Sequence, residues 1–375
     1  MKLTFDKPML KDVFCSFFSS RLIIVLSGYL SSLIIVKGKW QPEGAMPWQN
    51  LFFRWDSGWY LSIVQHGYSY SPGEYSSVAF FPLYSLLVSG VSRVFGHPVV
   101  AGFLISNIAL FFAAVYLYKL VKLDHDDTET ASRSVFYMLI FPASFFFSIF
   151  YTEGLFLFLS ITAFYYARRK KWLIASLLGF FLALTRSVGV LIIIPLLLEY
   201  LNIGSGPYTL KSFTDSVKKI KGDILYLLLV PAGLCSFMLY LFLKFGEPFA
   251  FAEVQSAWGR KSTIIFSALA NFKYEPFYSI IFHGFSYTAM LLIVYLAYRK
   301  TRLSYLVYSA SLMLIYLSTW SLEAIPRLIG VIFPLYTGLA LLGKKFKPLD
   351  NIFTELSIML LAIFVILFTN GYWLT

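Results

Sequence analysis

The chain has 375 residues, of which 58% are hydrophobic, 13% are charged and 39 are phenylalanine. A soluble domain cannot hide that much apolar surface, so the bilayer is the solvent for much of it. The net charge is +12, but the basic residues fall in short clusters between apolar runs. That is the pattern of cytoplasmic loops, not of a nucleic-acid-binding face, and no nucleic-acid partner is expected.

The first element is the apolar run 14–36, preceded by Lys2, Lys7 and Lys11. No small-x-small cleavage site follows it, so it reads as an uncleaved first helix. An external loop, 37–98, comes next and contains the stretch FFRWDSGWY at 52–60. Further predicted spans are 99–121, 134–150, 153–167, 172–185, 188–201, 224–245, 278–298, 303–320, 328–343 and 354–373, which makes eleven. Residues 80–96 are apolar enough to be a twelfth. If they crossed, the basic clusters would fall on both sides of the membrane. We therefore expect an amphipathic helix lying in the outer interface. The expected architecture is an all-α polytopic membrane protein: one transmembrane domain over 1–375, with a cytoplasmic N-terminus and no separate soluble domain. Cys15 and Cys235 lie in apolar runs and read as packing residues. No CxxC or HExxH motif is present, so no metal or other cofactor is expected, although metal dependence is left open.

This topology gathers unusual polar residues at the external face: Arg54, Trp55 and Asp56, then Tyr151 and Glu153, Arg186, Arg260 and Arg327. The spans 153–167, 172–185 and 188–201 are about 21–23 Å long, short of the roughly 30 Å hydrocarbon core, so Glu153 and Arg186 would line a recess open to water and lipid. Asp56 is the candidate general base, because a carboxylate in an aromatic-lined site can take a proton from a hydroxyl. Its plainer role would be pairing with Arg54 or capping a helix that starts near Ser57. Glu153 either binds acceptor hydroxyls or favours a helix dipole, with Thr152 as N-cap. Arg186 and Arg327 are candidate phosphate clamps, or anchors to lipid head groups. His66 and Arg260 are weaker candidates for substrate contact. Trp55, Trp59 and Tyr60 would stack on sugars or sit at the membrane interface. The run Asp124-His125-Asp126-Asp127 reads as charge balance and capping in a loop, not as a metal site.

The order Arg54-Trp55-Asp56-Ser57 with Tyr60, Gly67-Tyr68, Ala79-Phe80-Phe81-Pro82-Leu83-Tyr84, Phe141-Pro142-Ala143-Ser144, Tyr151-Thr152-Glu153 and Thr185-Arg186-Ser187 with Gly189 resembles the PIG-V family. Gly246-Glu247-Pro248, Phe251, Gln255, Trp258, Pro326-Arg327, Phe333-Pro334-Leu335 and Gly371-Tyr372-Trp373 continue the likeness over roughly 20–375. These are the second mannosyltransferases of glycosylphosphatidylinositol-anchor synthesis and their prokaryotic relatives, integral-membrane glycosyltransferases of the GT-C class. The resemblance implies a polyprenyl-phosphate-linked sugar donor, usually mannose, a lipid-linked or glycan acceptor, inversion at the anomeric carbon, and a base aspartate at the position of Asp56. It implies an extracytoplasmic site in the cell membrane of a prokaryote, or in the endoplasmic reticulum membrane of a eukaryote. Another polyprenyl-phosphate sugar, or a transporter of lipid-linked saccharides, remains an alternative.

Overall fold

A computed structural model describes residues 7–34, 51–203, 220–259, 266–270, 275–319, 321–372 and 374. The described residues form helices and turns with no strand. Among the described residues, five helices are long and apolar enough to cross a membrane: Lys7–Ile34, Pro98–His125, Gly222–Phe245, Pro276–Tyr298 and Lys347–Thr369. Trp172–Ala183, Ser187–Tyr200 and Leu303–Leu317 are shorter apolar helices. Large apolar side chains remain outside the bundle, including Leu22, Leu33, Leu225, Leu243, Ile280 and Leu291. In water such a surface would drive aggregation, whereas acyl chains solvate it, so this is a membrane protein.

Pro98–His125 is the central helix, packed on Glu153–Arg168, Thr128–Ile140 and Pro82–Phe95. Pro82–Phe95 starts with proline in its first turn and stops at Gly96 in the left-handed conformation (φ 71°). It buries Leu83, Tyr84 and Val88 and leaves Leu86, Val94 and Phe95 exposed. At 14 residues it is about 21 Å long, too short to span the hydrocarbon core alone.

Two predicted spans are broken, and each break lies beside a proline. The span expected at 134–150 ends as a helix at Ile140, because Phe141 precedes Pro142 and takes an extended conformation (ψ 136°). A 3₁₀ turn, Ser144–Phe147, follows, and helix resumes at Glu153. This irregular stretch is buried throughout, as backbone at membrane depth must be. Arg21 of the first helix satisfies the freed groups, donating to the Leu139 carbonyl at 2.9 Å, to the Ser144 carbonyl at 3.2 Å and to Ser148. Asn107 donates to the Ser148 carbonyl at 2.8 Å. The span expected at 328–343 divides into Ile325–Gly330 and Pro334–Lys345, and the Tyr336 hydroxyl donates to the freed Gly330 carbonyl at 2.6 Å.

Cys15 and Cys235 are exposed on the outer surface and free, not core packing residues as expected. Their small side chains suit a lipid-facing position as well as a buried one.

The basic loops collect at one pole of the bundle. Asp12 accepts from Ser132, Asp127 caps the Thr128–Ile140 helix and pairs with Lys344 at 2.5 Å, and Asp350 pairs with Arg133. Here too Asp124 takes two bonds from Arg168, at 2.7 and 2.8 Å, and one from Tyr305. Buried Glu199 receives a bidentate Arg302, at 2.8 and 2.9 Å, and the Ser304 hydroxyl. The carboxylates of these loops knit the helix ends together, and Asp127 is the cap expected of the Asp124–Asp127 run.

Candidate active site

Glu153 begins the helix that ends at Arg168, so it lies about 22 Å along the axis from the basic pole. Around it stand Asp56, Arg186 and Arg327. Arg327 Nη1 donates to Asp56 Oδ2 at 2.6 Å, and Arg327 Nε lies 3.4 Å from Glu153 Oε1. Arg186 Nη1 donates to the same Glu153 oxygen at 2.8 Å. Two acids and two arginines thus alternate in one chain of ion pairs. The side chains of Glu153 and Arg327 are 1% and 4% exposed, whereas Arg186 and Asp56 are 16% and 25% exposed. The inner pair is therefore sealed, and the outer pair is reachable from solvent.

Local sequence explains how Asp56 is held. Trp55 has φ 55° and ψ −117°, a conformation that non-glycine residues seldom adopt and that functional sites retain. The turn makes Asp56 the first residue of the Asp56–His66 helix, where the helix dipole favours a negative charge. The Asp56 N–H donates to the Tyr151 hydroxyl, which donates in turn to the Arg54 carbonyl, both at 3.2 Å. Arg54 does not pair with Asp56. It is buried, and its Nη2 donates to the Thr369 carbonyl at 2.6 Å, tying the loop to the last helix.

The position of Glu153 is set by close backbone packing. A Cβ on Gly154 would lie 2.4 Å from the Phe147 carbonyl oxygen and 2.8 Å from that of Ser106. Thr152 occupies the N-cap position, as expected, but its side chain makes no capping bond. Its hydroxyl lies 3.5 Å from the Tyr60 hydroxyl instead. The rings of Tyr151 and Phe146 flank the Arg327 guanidinium at 5.1 and 5.6 Å. Phe146 was not picked out from sequence, because a phenylalanine within an apolar run carries no local signal.

Trp59 follows Asp56 by one helical turn. It stacks on Phe80 at 5.8 Å and meets Trp258 edge-on at 5.8 Å. Tyr75 also meets Trp258, at 4.9 Å. An aromatic wall thus stands beside the acids. His66 is exposed at the far end of its helix, about 15 Å along the axis from Asp56, and takes no part in the cluster. Arg260 lies outside the described residues.

Two carboxylate oxygens in the cluster are underused. Glu153 Oε2 is buried with no hydrogen-bond partner among the described residues. Asp56 Oδ2 takes the Arg327 bond, and Oδ1 has none among the described residues. No group of three histidine, cysteine, aspartate or glutamate residues comes together among the described residues. The exposed part of the site pairs acceptor oxygens with an arginine beside an aromatic wall. That combination can bind hydroxyls and a phosphate together.

Residues 44–332 match the family model described as mannosyltransferase (PIG-V). No curated protein matches the sequence. Among solved structures, the chain resembles the oligosaccharyltransferase of Archaeoglobus fulgidus in its apo form, with TM-score 0.55 and 12% identity over 98% of this chain and 56% of that one. The same enzyme in complex with Zn and sulfate gives TM-score 0.51 and 14% identity, over 96% and 53%. The oligosaccharyltransferase AglB of that organism, in complex with an inhibitory peptide and a dolichol-phosphate, gives TM-score 0.50 and 14% identity, over 96% and 56%. This chain therefore spans just over half the length of those proteins. At such identities the likeness concerns the fold, which is that of the GT-C glycosyltransferases.

Proposed function

Because the chain belongs to the mannosyltransferase (PIG-V) family, we propose that it transfers a mannosyl residue from a polyprenyl-phosphate donor to a hydroxyl of a lipid-linked or glycan acceptor. The observation that carries this reading is the incomplete bonding of Asp56 and Glu153 within the network of ion pairs, where Arg327 Nε also lacks a hydrogen-bond partner among the described residues. Native proteins rarely leave buried acceptors unbonded without a functional reason.

In the proposed reaction Asp56 takes the proton of the acceptor hydroxyl as its oxygen attacks the anomeric carbon. The bond from that carbon to the donor phosphate breaks, and the electron pair leaves with the polyprenyl phosphate. Attack opposite the leaving group inverts the centre, so a β-linked donor gives an α-linked mannoside. Charge grows on the phosphate as the bond breaks, and a preorganised arginine aimed at it stabilises the transition state. Arg186 suits that task better than Arg327. It is the more exposed of the two, while Arg327 is sealed between both acids. Arg327 instead orients Asp56. Glu153 would hold Arg186 and Arg327 in place. Trp59 would stack on a sugar face, and the donor tail would lie beneath the Pro82–Phe95 helix.

We place the reaction on the extracytoplasmic side. The support is the collection of basic loops at the pole away from Asp56 and Glu153, which by the positive-inside rule faces the cytoplasm.

Membranes containing the wild-type chain, supplied with radiolabelled polyprenyl-phosphate mannose, test the reading. Label moving into a lipid or glycan fraction is the expected result. Transfer from a glucose or aminoarabinose donor, with none from mannose, would overturn the sugar assignment. Movement of an intact lipid-linked saccharide across the bilayer without transfer would overturn the reaction class.

A further inference from the structure

A cavity of about 310 Å³ opens at the basic pole, between the ends of five helices. Its wall includes Asp124, His125, Arg168, Arg299, Lys300 and Arg302. The charges there are of two kinds. Arg168 and Arg302 are matched by Asp124 and Glu199, carboxylates with 7% and 3% side-chain exposure. Arg299 and Lys300 are exposed and form no ion pair among the described residues. The buried acids hold two guanidinium groups rigidly, and the turn adds two cations that form no ion pair among the described residues. The cavity therefore carries net positive charge on a preorganised frame. Leu296, Pro334 and Leu341 supply its apolar wall.

A second feature lies on one of the same helices. Leu291, Val294 and Tyr298 are 70%, 65% and 74% exposed. They recur at helical spacing along the outer face of Pro276–Tyr298 and so form one stripe. The stripe faces the bilayer, on the side of the helix away from Leu296, and ends at the level of Arg299 and Lys300. A ligand with an anionic head and an apolar tail matches both features, because phosphate pairs with arginine forks and acyl chains cover exposed leucine and valine.

We propose that this cavity binds the phosphate of an anionic membrane phospholipid, whose acyl chains stay in the surrounding bilayer. The site is separate from the candidate active site, which lies at the opposite end of the Glu153–Arg168 helix. It does not depend on the proposed reaction.

The test uses the full chain in nanodiscs of phosphatidylcholine, titrated with phosphatidylglycerol and read by native mass spectrometry. The variants are Arg299→Ser/Lys300→Ser and, as a charge-matched control outside the cavity, Lys170→Ser/Lys345→Ser. All four residues are exposed, so both variants should fold. Wild type and control should retain phosphatidylglycerol in preference to phosphatidylcholine, and the cavity variant should bind it roughly tenfold more weakly or worse. Equal retention by the cavity variant, or an equal loss in the control, would overturn the proposal. Inorganic phosphate serves as the third arm. If it bound as tightly as the lipid, and only when Arg299 and Lys300 were present, the phosphate site would stand and the lipid source would be wrong.

Discussion

The two poles of this bundle are built from the same parts and differ in how completely the parts are used. At the basic pole, Asp124 and Glu199 face Arg168 and Arg302. Both oxygens of each carboxylate are bonded, with Tyr305 and Ser304 filling the places the arginines leave. At the other pole, Asp56 and Glu153 face Arg186 and Arg327, yet Asp56 Oδ1 and the buried Glu153 Oε2 have no partner among the described residues. A satisfied network rigidifies, and a network with acceptors to spare is ready for a substrate. The carboxylate–arginine pattern alone therefore does not mark a catalytic site. The count of bonds per oxygen separates the structural pole from the functional one.

The largest expected effect comes from breaking the inner pair of the functional pole. Arg327→Met removes the cation shared by Asp56 and Glu153, leaving Glu153 with Arg186 alone. Losing one partner of a buried ion network costs about 3–5 kcal/mol. A thermal-unfolding scan in detergent should show a much lower midpoint, and transfer should disappear. Glu199→Gln is the matching change at the structural pole. It should lower the midpoint clearly while leaving turnover per folded molecule within about twofold, because no substrate is bound there. A loss of turnover without a loss of stability would contradict the comparison.

Arg186→Ala should cost about 10²–10³ in turnover, the range for removing one preorganised charge-stabilising donor. Arg186→Lys should restore only part of it, since a point charge cannot reproduce the guanidinium fork. Donor competition experiments would separate a loss of donor binding from a loss of rate. A smaller effect, a severalfold rise in acceptor KM with kcat kept, is expected for Trp59→Ala. Trp59→Phe should recover most of it, as an aromatic face remains.

Much of the functional pole was legible in sequence, because charged residues inside apolar runs are costly and therefore conspicuous. Asp56, Glu153, Arg186 and Arg327 stand out for that reason. Their pairing was not legible. The plainer reading paired Asp56 with Arg54 two residues away or made it a helix cap, yet its partner lies 271 positions along the chain. Proximity in sequence is a poor guide once helices bring distant turns together. The apolar runs gave the helices, and the prolines gave the breaks at Phe141 and before Pro334 once the structure was known. A hydropathy pattern cannot show that a span bends inside the protein, because buried irregular backbone is as apolar in its side chains as a straight helix. The ties made by Arg21 were hidden for a related reason, since their acceptors are mainly carbonyl and hydroxyl groups on a distant segment.

The most direct measurement compares Asp56→Asn with Asp124→Asn in one preparation, reading mannosyl transfer per folded molecule and the unfolding midpoint. Both changes replace a carboxylate by an amide of the same shape. Asp56→Asn should lose about 10²–10⁴ in transfer, the usual contribution of a general base, with its midpoint falling less than that of Arg327→Met, because Glu153 still pairs with Arg327. Asp124→Asn should do the reverse, losing stability and keeping transfer. If Asp56→Asn transferred as well as the wild type, the carboxylate would be a structural partner of Arg327 and the proposed mechanism would be wrong.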